Sequence, residues 1–131
     1  MNRIPCLLAF AAAAIGLASG CSGPSAPDAS DPEVGRALLK QTLEAWKRGE
    51  SIDVYRQTAT DVEVLDRAWR KGAGLVEFEI QSDSVAAGYD VQFKVALTVQ
   101  DSGSASPKKQ KALFNVSTRP RLVVSRAEGG W

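Results

Sequence analysis

Residues 91–100 alternate without a break. Val91, Phe93, Val95, Leu97 and Val99 fall on one side of the chain, and Gln92, Lys94, Ala96, Thr98 and Gln100 on the other. A period of two sends successive side chains to opposite faces of an extended backbone. This run therefore predicts a strand in a sheet with one buried face. Val76, Phe78 and Ile80 alternate with Glu77, Glu79 and Gln81 in the same way.

Two further runs extend the sheet. Lys109 to Ser117 carries Leu113, Phe114 and Val116 as packing residues, and Pro120 separates it from a last strand, Leu122-Val123-Val124-Ser125-Arg126. Between the runs, Ala86-Ala87-Gly88 and the stretch from Asp101 to Pro107 have turn and loop compositions. Short links between successive strands imply an antiparallel meander. Upstream, Val62, Val64 and Leu65 suggest one more short strand.

A helix precedes the sheet. Asp31 suits a cap and Pro32 the first helical turn. On a 100° wheel Val34, Leu38, Leu39, Leu43, Ala45 and Trp46 share one half-circle, and Glu33, Arg36, Lys40, Glu44, Lys47 and Arg48 the other. Lys47 and Arg48 suit the negative end of the helix dipole, and Gly49 stops it. A short second helix fits Ser51 to Gln57, with Ile52 and Tyr55 inward. Asp66 to Gly72 reads as one helical turn or a wide loop anchored by Trp69. The expected class is α+β: a long N-terminal helix lying across a curved, four-stranded antiparallel meander.

The first thirty residues read differently. Leu7 to Ala18 is an apolar run, too short for a bilayer span of ~20 residues but of signal-sequence length. It ends in Ala18-Ser19-Gly20-Cys21, similar to the bacterial lipobox, in which the cysteine is acylated and becomes the first residue. The lipobox usually has leucine three places before the cysteine, where this chain has Ala18. Ordinary cleavage after Gly20 also fits the small-residue rule. Residues 1–20 are thus expected as a signal, 21–30 as a Ser/Pro/Ala/Gly-rich tether, and 31–131 as a single domain. The expected location is a bacterial cell envelope, lipid-anchored at Cys21, with soluble secretion as the alternative.

Cleavage sharpens the composition. The chain has 16 Lys+Arg, 15 Asp+Glu, no His and 2 Cys. Removing residues 1–20 takes away Arg3 and Cys6, which leaves equal numbers of basic and acidic side chains and Cys21 alone. A disulfide framework, a Cys/His metal site and His-dependent nucleophilic catalysis are excluded on this reading. The charge balance argues against nucleic acid as a partner. No metal or cofactor is expected.

Several strings carry a resemblance. Glu44-Ala45-Trp46-Lys47-Arg48-Gly49, Asp66-x-x-Trp69-Arg70-x-Gly72, Val95-Ala96-Leu97-Thr98-Val99-Gln100-Asp101 and Thr118-Arg119-Pro120-Arg121-Leu122-Val123-Val124-Ser125-Arg126 resemble small uncharacterised bacterial secreted proteins. The order of elements resembles the cystatin-like/NTF2-like cone. This chain has Ser117 where glycine would precede the last string. The resemblance implies a ligand position between helix and sheet, lined by Trp46, Tyr55 and Trp69, unless those rings simply fill the core. It also implies Asp66 as a possible proton-shuttling carboxylate, against the simpler role of capping the turn that follows. The cystatin wedge loop is missing at Gln100-Asp101-Ser102-Gly103.

Two charged groups have alternative readings. Glu77 and Glu79 could meet a cation, or be exposed strand residues paired with lysine or arginine. Lys108, Lys109 and Lys111 could meet anionic head groups beneath the anchor, or discourage edge pairing. The functional expectation is a small exported binding domain without catalysis, its ligand a protein or small molecule and its oligomeric state open. The alternative is an enzyme with Asp66 as acid or base in an aromatic pocket.

Overall fold

A computed structural model describes residues 29–59 and 61–127. The expected signal, Cys21 and residues 21–28 of the tether lie outside the described residues. Three helices, α1 (Pro32–Lys47), α2 (Ile52–Thr58) and α3 (Arg67–Arg70), accompany five strands. The strands are β1 (Val62–Leu65), β2 (Gly74–Ala87), β3 (Asp90–Gln100), β4 (Lys108–Ser117) and β5 (Leu122–Ala127), in the spatial order β1-β5-β4-β3-β2.

Local chemistry sets the helix boundaries. The Asp31 carboxylate accepts from the backbone N–H groups of Glu33 and Val34, satisfying donors that a helix start leaves unpaired. Gly49 at φ 86° ends α1, a conformation that costs glycine little. Ser51 caps α2 through the Val54 N–H.

β3 forms the centre of the core. Its inward residues Val91, Phe93 and Val95 lie opposite Val116, Phe114 and Ala112 of β4, and Val95 and Leu97 lie opposite Ile80 and Phe78 of β2. α1 covers this face with Leu38, Leu39, Leu43, Ala45 and Trp46, all buried. Gly35 brings the helix close: a Cβ there would stand 3.5 Å from both Phe93 and Val116.

The expected fold class is overturned. The sheet has five strands and is mixed, because β1 pairs in parallel with β5, Val62 opposite Leu122 through Leu65 opposite Ser125. Strands dominate and the helices are short, so the chain is not a long helix on a four-stranded antiparallel meander of cystatin-like/NTF2-like type. The physical reason is the free edge of β5. Val62 and Val64 bury against the core only when β1 docks there, and the intervening α3–β4 segment gives the crossover a parallel connection needs.

Smaller differences follow from local geometry. A bulge between Leu75 and Glu77 shifts the phase of β2, so Leu75 points inward and Val76 is 47% exposed. The bottom of β2 runs on to Ala87, and the turn falls at Gly88-Tyr89. In β4 the inward residues are Ala112, Phe114 and Val116, which places Leu113 on the opposite face. Val34, on the apolar half of the wheel, is 51% exposed because it stands 100° round the helix from Gly35, which faces the sheet.

Candidate functional site

The three aromatic residues singled out from the sequence converge. Trp69 lies between the other two, its ring centroid 5.6 Å from Trp46 at an interplanar angle of 15° and 5.9 Å from Tyr55 at 39°. The end of α1 supplies Trp46, α2 supplies Tyr55 and α3 supplies Trp69. Each polar tip has a partner. The Trp46 indole N–H donates to the Ala73 carbonyl at 2.7 Å, and that of Trp69 to the Glu50 carbonyl at 2.8 Å. The Tyr55 hydroxyl lies 2.8 Å from Thr42 Oγ1, whose own proton goes to the Leu38 carbonyl at 2.8 Å, so Tyr55 is the donor. Burial raises the Tyr55 hydroxyl above its ordinary pKa near 10 and the charge of Glu50 adds to this, while Arg48 opposes it. All three rings are buried, so the stack is core in its body and exposes little more than its margin.

Asp66 is 3% exposed and fully engaged. Its Oδ1 accepts from the Trp69 backbone N–H at 3.1 Å, capping α3. Its Oδ2 accepts from Arg126 Nε at 3.0 Å. Arg126 Nη2 is 2.9 Å from the same oxygen, an ion-pair distance, yet its N–H bonds point off the line and make no hydrogen bond. The guanidinium lies 5.6 Å from the Trp46 ring and 5.5 Å from the Phe114 ring, a cation–π contact on each. Asp66 and the aromatic stack are thus joined through Arg126, but the carboxylate faces a cation rather than open space.

Beside the stack is a cleft of about 420 Å³. Gly49, Glu50, Ser51 and Asp53 wall one side, Arg70, Gly72 and Ala73 the other, and the margins of Trp46 and Trp69 its base. A larger concavity of about 1030 Å³ adjoins the cleft, with which it shares Asp53 and Arg56; it lies between α2 and the β4–β5 turn and is walled by further charged and polar side chains such as Glu63 and Arg121. Glu77 and Glu79 lie on the outer face of the sheet, opposite Thr98 and Ala96. Among the described residues no group of three or more acidic, His or Cys side chains is arranged to hold a metal ion.

Arg126, Glu50 and Thr42 are the site residues that sequence reading passes over. Arg126 had a signal: in β5 it shares the phase of buried Val124, so its side chain enters the core face and calls for a carboxylate.

Position along the sheet also matters. The Ser30 N–H donates to the Tyr89 carbonyl at 2.8 Å, the Thr118 N–H to Ser30 Oγ at 2.9 Å and the Asp31 N–H to Thr118 Oγ1 at 3.1 Å. The described chain therefore starts at the end of the sheet that holds the β2–β3 and β4–β5 turns. The cleft and the loop after β3 lie at the other end, together with Lys108 and Lys109 at the start of β4. Lys108 and Lys109 therefore stand at the end of the sheet away from Ser30.

No protein-family model, curated protein or solved structure matches the chain.

Proposed function

We propose that the chain is an exported, lipid-anchored binding domain of a bacterial cell envelope, attached at Cys21 and acting without catalysis on a protein or small-molecule ligand. The observation that carries the anchoring is the apolar run Leu7 to Ala18 leading directly into Ala18-Ser19-Gly20-Cys21, followed by a linker-like segment before the first helix. Acyl chains add ~0.8 kcal/mol per buried methylene, so more than one is needed to hold a domain on a membrane. Among the described residues no helix is long and apolar enough to cross a bilayer.

The geometry around Asp66 supports binding over catalysis. A general acid or base must reach a substrate proton, and both carboxylate oxygens here are committed to Trp69 and Arg126. Catalysis through Asp66 would require Arg126 to leave its place against Trp46 and Phe114.

Metabolic labelling with a radioactive fatty acid tests the anchor. The wild type is expected to be labelled and Cys21→Ser not. Equal labelling of both rejects lipidation, and release of an unlabelled wild type into the medium identifies ordinary secretion. Affinity capture from envelope extract, with the cleft variant Arg70→Glu as comparison, tests the binding reading.

A further inference from the structure

We propose that the cleft beside the tryptophan stack binds a small zwitterion of the amino-acid type, its ammonium group at Glu50 and its carboxylate at Arg70. This rests on the binding reading above and assigns its ligand chemistry. At about 420 Å³ the cleft lies within the range of small-molecule sites. Its base is preorganised, because the indole groups of Trp46 and Trp69 are fixed to the Ala73 and Glu50 carbonyls that belong to the cleft walls.

The decisive group is Glu50. Its Oε2 is shielded from solvent and receives no hydrogen bond. Its nearest cation is Arg48 Nη2 at 3.6 Å, an ion pair too long for a hydrogen bond, from a side chain that is 59% exposed. A buried carboxylate oxygen without a donor is costly, and an ammonium group that displaces Arg48 would supply one. A ligand carrying only positive charge would be repelled by Arg70 across the cleft and by Arg56, which stands on α2 with Asp53, whereas a zwitterion complements both walls.

Three probes separate the alternatives by calorimetric titration of the full chain in detergent: phenylalanine, N-acetylphenylalanine, which lacks the ammonium charge, and phenylalaninamide, which lacks the carboxylate. Phenylalanine is expected to bind at least tenfold more tightly than either derivative. Glu50→Gln should reduce phenylalanine to the level of the N-acetyl compound, and Arg48→Ala should strengthen binding by freeing the carboxylate. Arg70 is exposed, so Arg70→Gln keeps the fold and should reduce phenylalanine to the level of the amide. Equal binding of either derivative overturns the zwitterion and leaves a binding domain of other specificity. Absence of saturable binding by all three overturns the proposal, and the binding reading is then decided by the affinity capture.

Discussion

Asp66 performs two tasks with two oxygens, and removing it undoes both. Asp66→Ala deletes the cap of α3, worth ~1 kcal/mol, and leaves Arg126 unpaired among Trp46 and Phe114. Breaking a buried pair from one side costs ~3–5 kcal/mol; because Arg126 keeps some exposure, a total loss of about 3 kcal/mol is expected by urea denaturation. Pairing Asp66→Ala with Arg126→Met should recover most of it, since methionine fits between the two rings without a charge. A second test concerns Tyr55. Its folded-state pKa is raised, so its contribution to stability is complete below pH 10 and declines as pH rises from there through the folded-state value. The melting temperature should fall above pH 10 with a steeper slope in the wild type than in Tyr55→Phe; parallel slopes would show that Tyr55 is not the titrating group. The sequence made Asp66, Trp46, Tyr55 and Trp69 visible because large aromatics and an acid before a helical turn are locally conspicuous. Arg126 is 60 positions from Asp66, and no local pattern pairs them.

β2 shows how a break in a strand is bridged from a neighbouring element. It is a long edge strand, and its register breaks between Ile80 and Ser84. At that break Arg36 of α1 donates from Nη2 to the carbonyls of Gln81 and Ser82, each at 2.8 Å, while its guanidinium lies 5.3 Å from the Phe93 ring. Arg36→Ala should therefore raise hydrogen exchange at residues 81–84 selectively and cost about 1–2 kcal/mol, whereas uniform exchange along β2 would mean the bulge is held by other contacts. The same helix offers a gain. A methyl group at Gly35 would sit at ordinary van der Waals distance from Phe93 and Val116, so Gly35→Ala should stabilise by about 0.5–1 kcal/mol through helix propensity. A lower melting temperature would show that α1 has no room to accept it. At this scale much was legible. The alternation of Val91 to Val99, the Asp31 and Gly49 boundaries of α1 and the short α2 follow from rules that act over a few residues. What those rules missed is informative in the same terms. The bulge after Leu75 reverses the phase of Val76 without changing the composition, and Ala86-Ala87, which have a turn composition, belong to β2 because they pair with Val91 and Asp90 of β3. The parallel docking of β1 on β5 joins residues 60 apart, and it alone changes the sheet from an antiparallel meander to a mixed sheet.

Across the whole molecule, a chain of almost balanced charge has two unlike ends. The end where Ser30 and Asp31 attach carries Glu33, Asp83 and Asp90 with Arg119 and Arg121 in the β4–β5 turn, and the far end carries Lys47, Arg48, Lys71 and Lys108 with Glu50 and Asp101. β3 connects the ends with 11 residues, which at ~3.3 Å each separates them by roughly 35 Å. The linker from Cys21 to Ala29 reaches at most ~30 Å when extended. If Cys21 is lipidated, Tyr89 can stand no farther than about 30 Å from the bilayer, whereas Ser102, just beyond β3, can stand roughly twice as far away. A fluorophore on Tyr89→Cys should then be quenched several-fold more by a head-group quencher than one on Ser102→Cys, in vesicles of neutral lipid; the acylated thiol of Cys21 does not compete for the label. Anionic lipid attracts the basic end against the constraint of the tether. The contrast should therefore shrink on anionic vesicles at low salt and return near 0.5 M salt, where the screening length falls to a few ångströms. Stronger quenching at Ser102 on neutral lipid would place the cleft against the membrane and remove it as a site for soluble ligands. Equal, weak quenching at both positions would mean that the domain is not held at the surface at all.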